Sequence, residues 1–224
     1  MIMGKLYAIS DIHGCYDTFY NLIVNTICLQ KSDRMILLGD YIDRGDKSRE
    51  VIDLIIDLDE KGYDVTPLLG NHESMMLDAF NDSRTLPLWL YNSGIDTLLS
   101  FGISDLSNIG KRYLDFFLNL RYYESAGDFI FVHAGFNDES PDPFNDHYAM
   151  IWQTRSSYAN RVFTGKTIIH GHRPKTPDFV NRLIKEKSGV IPIDTGCVYS
   201  MEAGLGFLSA LEVNSMQLIS VSNY

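Results

Sequence analysis

The chain has 224 residues, enough for one large domain, and its 45% hydrophobic and 21% charged residues are typical of a globular protein. The formal net charge of −10 should repel long nucleic acids and anionic membranes, so neither is expected as a partner. Because no apolar run reaches the length of a membrane span and the first residues lack the apolar segment of a signal peptide, a cytoplasmic protein is expected.

Short apolar strands alternate with amphipathic helices in the first half of the chain. Strands are predicted at 5–10 (KLYAIS), 34–39 (RMILLG) and 64–70 (DVTPLLG). A helix follows each strand, and this alternation predicts an α/β fold of βαβ units in which a sheet is covered on both faces.

The helices are predicted from apolar residues three and four positions apart, which form one buried stripe on each helix. A third helix is expected near 73–80. The first helix should bury Phe19, Leu22, Ile23, Thr26 and Ile27, and the second Val51, Ile52, Ile55 and Leu58.

The second half of the chain changes from helix to strand. The region 85–121 is predicted to be helical, with a buried stripe of Leu114, Phe117 and Leu118. No repeat or linker argues for a second unit, so a single domain over 1–224 is expected. Later strands are predicted at 128–135, 166–172 and 189–196, and a hairpin at 206–213 and 216–222 with its turn at Asn214-Ser215.

Five segments share one layout, an apolar strand that runs directly into a short polar cluster with glycine. In open α/β sheets, ligands bind at the loops beyond the carboxyl ends of the strands. The five segments are AISDIHG (8–14), LLGDYIDRG (37–45), LLGNHE (68–73), FVHAG (131–135) and IIHGH (168–172).

These loops would bring six metal-binding side chains together. Oxygen and nitrogen donors without a thiolate suit divalent manganese, iron or zinc. Six ligands with one bridging carboxylate suit two ions about 3.5–4 Å apart, and such a pair clamps a phosphate ester during in-line displacement. The candidate ligands are Asp11, His13, Asp40, Asn71, His133 and His172, with Asp40 as the bridge.

Three further side chains suit phosphate-ester chemistry. His72 would protonate the leaving alkoxide as general acid, and Asp43 would hold its imidazole in the required tautomer. The guanidinium of Arg44 would grip phosphate oxygens bidentately. Two divalent ions would also make the site cationic inside an acidic protein, which lets it attract a phosphate ester.

The motifs DIHG, GDYIDRG, GNHE, HAG and GH, in this order, resemble the phosphoprotein phosphatase (PPP) family of binuclear metallophosphoesterases, especially its short bacterial and phage members. The resemblance implies the calcineurin-like metallophosphoesterase fold, with a central β-sandwich of mixed sheets flanked by helices. It also implies two divalent ions, with manganese favoured over iron or zinc, and a bridging hydroxide that attacks phosphorus directly while His72 acts as the acid.

The resemblance assigns the remaining residues one by one. Asp11 and His13 match the ligands of one ion, and Asn71 and His133 match those of the other.

Two assignments come from the later part of the chain. Family members carry a second phosphate-binding arginine three residues after a tryptophan, and Trp152 and Arg155 have that spacing. The late ligand of the family follows a glycine, which favours His172. His170, two residues earlier, would face the same side of a strand and is kept as a candidate neighbour of the site.

Three functions remain open at this point. The leading hypothesis is a serine/threonine protein phosphatase, which acts on a phosphorylated protein or a small phosphate ester. The alternative is a hydrolase of dinucleoside polyphosphates such as diadenosine tetraphosphate. A metal-binding scaffold without activity is disfavoured, since a scaffold needs no general acid.

Overall fold

The computed structural model of the protein describes residues 4–223. Residues 1–3 and 224 lie outside the described part, and the single domain over 1–224 stays a prediction. The strands are β1 (Leu6–Ile9), β2 (Arg34–Leu37), β3 (Asp64–Pro67), β4 (Tyr123–Ala126), β5 (Phe129–Val132), β6 (Thr167–His170), β7 (Val190–Pro192), β8 (Phe207–Glu212) and β9 (Gln217–Ser222).

These strands form two mixed sheets. The first sheet has the order β3-β2-β1-β8-β9, in which β1, β2 and β3 are parallel and β8 pairs antiparallel with both neighbours. The second has the order β4-β5-β6-β7, in which β5, β6 and β7 are parallel and β4 is antiparallel. The predicted hairpin joins β8 and β9, and its turn includes Asn214-Ser215.

The two sheets pack against each other, and this arrangement differs from the single helix-covered sheet that the alternating elements suggest. Ala8 and Ile36 on one face of the first sheet share a core cluster with Phe131 and Ile169 of the second. The neighbouring residue Ile9 faces the helices, because successive strand residues point to opposite faces. Both faces are therefore buried, which is why the strands read as continuous apolar runs.

Helices cover the outer faces of this sandwich. They are α1 (Tyr16–Tyr20), α2 (Ser48–Glu60), α3 (Asn71–Asn81), α4 (Leu86–Trp89), α5 (Ile95–Phe101), α6 (Lys111–Leu118), α7 (His147–Trp152) and α8 (Pro177–Lys185). A π-helical turn extends α1 over Asn21–Thr26, another joins α4 to α5 over Leu90–Gly94, and 3₁₀ turns lie at Leu106–Asn108, Pro143–Asn145 and Arg161–Phe163.

The predicted helical stripes are confirmed for α2 and fail at two other positions. Thr26 is exposed because the π-helical turn bonds the Ile27 N–H to the Leu22 carbonyl, five residues back, which moves Thr26 off the stripe. Leu118 is 60% exposed, whereas its neighbour Phe117 is 1% exposed. Adjacent residues on a helix lie about 100° apart, so both cannot face the same narrow core.

The carboxyl ends of the parallel strands of both sheets meet at one edge of the sandwich. The His172 N–H donates to the Asp11 carboxylate at 3.1 Å, and this contact joins the loop after β6 to the loop after β1. His133, after β5, lies 2.8 Å from the Leu38 carbonyl oxygen just beyond β2. Within residues 4–223, every helix is too short or too polar to span a bilayer.

Candidate active site

The loops at this edge are held in an uncommon backbone conformation. Five candidate residues have positive φ angles although none is glycine: His13 (47°), Asp40 (55°), Asp43 (68°), Arg44 (70°) and His172 (68°). Non-glycine residues adopt this left-handed region only where the surroundings hold them there, and such strain concentrates at functional sites.

The Glu73 carboxylate holds the loop after β2 next to the start of α3 through hydrogen bonds to backbone N–H groups. One carboxylate oxygen accepts the N–H groups of Asp40 at 2.9 Å and Gly70 at 3.1 Å. The other accepts those of Tyr41 at 2.7 Å and Ile42 at 3.3 Å. Burial, with the charge of Asp40 second, raises the pKa of Glu73 to about 7, against the four donors that favour its ionised form.

Asp40 lies at the centre of the site. Its Oδ2 is 3.5 Å from His13 Nε2 and 3.6 Å from His133 Nε2, and its Oδ1 accepts the backbone N–H of His72 at 3.1 Å. Burial alone would raise the pKa of this carboxyl group. The surrounding histidines, with His133 first, favour the ionised form more strongly, so the pKa of Asp40 is lowered.

One group of hydrogen-bond acceptors surrounds His133. Its Nδ1 lies 2.8 Å from a carbonyl oxygen, so in the neutral ring Nδ1 carries the proton and Nε2 presents a lone pair. That lone pair is 2.9 Å from Asn71 Oδ1 and 3.2 Å from His172 Nδ1. Burial lowers the pKa of His172 to about 3, which keeps its ring neutral, and its buried Nε2 has no hydrogen-bond partner among the described residues.

Another group of hydrogen-bond acceptors surrounds His13. Its Nδ1 lies 2.9 Å from the Ile42 carbonyl oxygen, so Nδ1 again holds the proton and Nε2 faces Asp40 with a lone pair. Burial lowers the pKa of His13 well below its usual value, which also favours the neutral ring. Arg44 donates to this Nε2 at 2.7 Å, and its guanidinium lies 5.6 Å from the centroid of the Tyr199 ring. Arg44, the predicted phosphate-binding residue, therefore forms a hydrogen bond with His13, a predicted metal ligand.

The lone pairs of the residues around Asp40 point towards one another, and the described residues supply too few N–H and O–H groups to form a hydrogen bond with each lone pair. Within the described residues, His13, Asp40 and His72 form one group whose ligand atoms lie within 4.8 Å of one another, and Asp40, His133 and His172 form another. One divalent cation between Asp40 and His13 and another between Asp40 and His133 would satisfy these acceptors, with His72 beside the first position as the predicted acid and not as a ligand. The residues present therefore fit two ions that share Asp40.

Asp11 stands slightly apart from these groups. Its carboxylate accepts the Ser10 hydroxyl and the His172 N–H, the latter at 3.1 Å from each of its oxygens. Burial raises its pKa. Asp11 lies at the correct edge of the sandwich, and its role as a ligand stays a prediction.

The predicted acid and its partner form a buried pair. His72 Nδ1 lies 2.7 Å from Asp43 Oδ2, which also accepts the indole N–H of Trp89 at 3.0 Å. The Thr97 hydroxyl donates to the other Asp43 oxygen at 2.6 Å. Burial lowers the pKa of His72, but Asp40 and Asp43 raise it more, so the net direction is upward and the protonated, proton-donating form is favoured.

The structure separates the two late histidines. His172 joins His133 and Asn71, whereas His170 ends β6 with its Nδ1 3.0 Å from the Gly171 carbonyl oxygen. Burial lowers the pKa of His170 to about 4. Because β6 ends at His170, the strand rule that placed both histidines on one side does not extend to His172.

Arg155 is the predicted residue that the structure does not bring to the acceptor groups. Its guanidinium pairs with Glu139 at 3.2 Å, while Trp152 packs edge-on against His172 with 6.0 Å between ring centroids. The phosphate-binding role of Arg155 stays a prediction.

Sequence reasoning missed several residues that shape the site. Glu73 received no role, although a Glu three residues into a helix is a recognisable partner for the helix N-terminus. Nothing in the sequence indicated that Trp89 and Thr97 contact Asp43. Asp194 is also buried nearby, and burial, followed by the charge of Asp11, raises its pKa well above the usual value.

The chain belongs to the calcineurin-like phosphoesterase family, because the family's sequence profile matches residues 4–198. This confirms the predicted fold and the enzyme class, a hydrolase of phosphate esters that uses divalent metal ions.

Two relatives and one solved structure show which phosphoesterases this chain is similar to. The asymmetrical bis(5'-nucleosyl)-tetraphosphatase PrpE of Geobacillus sp. (strain WCH70) is 27% identical over 250 residues, which cover 97% of this chain and 94% of the relative. Serine/threonine-protein phosphatase 2 of Salmonella typhimurium is 26% identical over 143 residues, 61% of each chain. The crystal structure of a candidate diadenosine tetraphosphatase superposes with a TM-score of 0.70 at 21% identity, covering 100% of this chain and 95% of that one. The predicted serine/threonine phosphatase type is not confirmed.

Replacing the two late histidines separately tests which one binds metal. We expect His172→Ala to bind about one Mn²⁺ fewer per chain than the unsubstituted protein and His170→Ala to bind the same number, because the His172 ring adjoins the His133 and Asn71 acceptors. Equilibrium dialysis with metal analysis measures this. Far-UV circular dichroism serves as the control for folding, and loss of metal from His170→Ala alone would reverse the assignment.

Glu73→Gln tests the loop clamp. A glutamine presents one oxygen and one NH₂ group, so two backbone N–H groups would face a donor. We expect the free energy of unfolding of the metal-free protein at pH 8, where Glu73 is ionised, to fall by about 1–3 kcal/mol. Urea unfolding measures the change. The same substitution at exposed Glu186 is the matched control, and equal stabilities of the two variants would contradict the clamp.

Proposed function

We propose that this chain hydrolyses dinucleoside polyphosphates, with diadenosine tetraphosphate as the representative substrate. The observation that carries this choice is the similarity to an asymmetrical bis(5'-nucleosyl)-tetraphosphatase over 97% of the chain. The expectation of a serine/threonine protein phosphatase drops to second place, because the relative that bears that name matches 61% of the chain.

The chemistry follows from the acceptor groups around Asp40. Divalent ions held there would polarise the phosphoryl oxygens and acidify a water molecule. Asp40 would be shared by both ions, with His13 on one side and His133 on the other. The protonated Nδ1 of each histidine donates to a carbonyl oxygen, which fixes the ring so that Nε2 would be available to an ion beside Asp40.

His72 would donate a proton from Nε2 to the oxygen that leaves phosphorus. Asp43 accepts from Nδ1, and Trp89 and Thr97 hold Asp43 in place, so the ring cannot turn its protonated nitrogen away. Arg44 would leave His13 Nε2 when an ion occupies that position and would then be free for the phosphate oxygens. Its backbone is already fixed in the left-handed conformation next to Asp43.

Manganese-loaded protein tests the proposed substrate class. We expect diadenosine tetraphosphate to be cleaved to AMP and ATP, as the name of the Geobacillus relative indicates, with little phosphate released from a phosphothreonine peptide. Chromatography of the nucleotides and a free-phosphate assay measure both. Two molecules of ADP would keep the substrate class with symmetrical cleavage. Phosphate from the peptide without nucleotide cleavage would replace the proposal with a protein phosphatase.

His72→Asn tests the acid. Loss of the proton donor should slow an alkyl phosphate by about 100-fold or more but p-nitrophenyl phosphate by less than about 10-fold, because the nitrophenolate leaves without protonation. Values of kcat/KM for the two esters measure this difference. Equal losses on both esters would remove His72 from the acid role, and unchanged Mn²⁺ binding by the variant is the control.

A further inference from the structure

A cationic cavity lies beside the His172 side of the acceptor groups. It has a volume of about 400 Å³, which is within the usual range for a small-molecule site. Arg155, Arg173 and Lys175 contribute to its wall, and we call it the Arg173 cavity. His170 also lines it, so the cavity adjoins the segment that carries His172, which lies between His170 and Arg173 in the sequence.

The charge of this cavity is opposite to that of the protein. None of the described residues that line it is Asp or Glu, although the chain has a net charge of −10. Two other cavities, of about 420 and 510 Å³, contain carboxylates such as Asp46 and Glu60 in their walls. The Arg173 cavity is therefore more favourable to an anion than these two cavities.

Two of its cations are available to a ligand. Arg155 pairs with Glu139 at 3.2 Å, whereas no ion pair of Arg173 or Lys175 occurs within residues 4–223. Both side chains are exposed, and each provides several N–H donors for phosphate oxygens.

One wall of the cavity is apolar and aromatic. Phe179 and Leu183 are four residues apart on α8 and line the cavity together with Val190. Lys175 Nζ lies 5.7 Å from the centroid of the Phe179 ring and the Arg182 guanidinium lies 4.9 Å from it, so cationic groups and an aromatic ring are adjacent. A ligand that matches both has a flat ring joined to a short phosphate chain.

We propose that the Arg173 cavity binds one nucleoside phosphate end of the substrate, with phosphates on Arg173 and Lys175 and the base against Phe179. The inference rests on the proposed function for its biological meaning. Because Arg173 directly follows His172, a phosphate chain bound at Arg173 would run towards the acceptor groups around His172. It would select dinucleoside polyphosphates over small phosphate esters.

Binding of ADP to the metal-free protein tests the cavity without any catalysis. We expect isothermal titration calorimetry, in the presence of a chelator, to give an ADP dissociation constant about 10-fold larger for Arg173→Gln than for the unsubstituted protein. Lys185→Gln removes the same charge from an exposed site on α8 outside the cavity and should bind ADP normally. Phe179→Leu should weaken ADP but leave pyrophosphate unchanged. Equal ADP affinities of Arg173→Gln and Lys185→Gln would overturn the proposal.

Kinetics with the manganese-loaded protein separates this inference from the proposed function. For Arg173→Gln, the ratio of kcat/KM for diadenosine tetraphosphate to that for p-nitrophenyl phosphate should fall about 10-fold, mainly through KM. An unchanged ratio in a protein that cleaves the dinucleotide would overturn the cavity and keep the function. If the unsubstituted protein cleaves no dinucleotide, the proposed function fails, and the ADP titration alone decides whether the cavity binds nucleotides.

Discussion

The four hydrogen bonds that the Glu73 carboxylate accepts from backbone N–H groups are the contact on which this active-site edge depends. They join the loop after β2 to the start of α3, at Asp40, Tyr41 and Ile42 on one side and Gly70 on the other. A residue such as Asp40 stays in its left-handed conformation because these bonds over-determine the backbone around it. The donors that surround Glu73 offset part of the cost of burying its carboxylate.

The same loops concentrate hydrogen-bond acceptors, and this concentration gives the site its affinity for cations. Asp40 faces His13 and His133, whose remaining ring nitrogens are committed to carbonyl oxygens. An acidic protein would otherwise repel a polyphosphate. Cations among these acceptors, together with the basic side chains near Arg173, would reverse the charge locally while the overall surface stays negative.

The helices outside the sandwich contribute to chemistry as well as to packing. Trp89 ends α4 and Thr97 lies in α5, and both contact Asp43, more than 40 residues earlier in the chain. The buried Asp43 carboxylate therefore has partners on each oxygen besides His72. Loss of Trp89 or Thr97 would keep the His72–Asp43 pair but leave it less well oriented, because a lone ion pair does not fix the plane of an imidazole.

The sequence by itself predicted eight of the nine strands described within residues 4–223, missing β4, and it predicted the buried stripe of α2, because these depend on local periodicity. The six candidate ligand positions come from motifs at strand ends and stay predictions. The family resemblance of the motifs implied the β-sandwich, although local periodicity alone suggested a single helix-covered sheet. Only the tertiary structure decided that Glu73 closes the loops. It also decided that His172 and not His170 meets His133. The reason is physical: such contacts join groups as far apart as Asp11 and His172, 161 residues along the chain, and no local pattern encodes which distant group arrives.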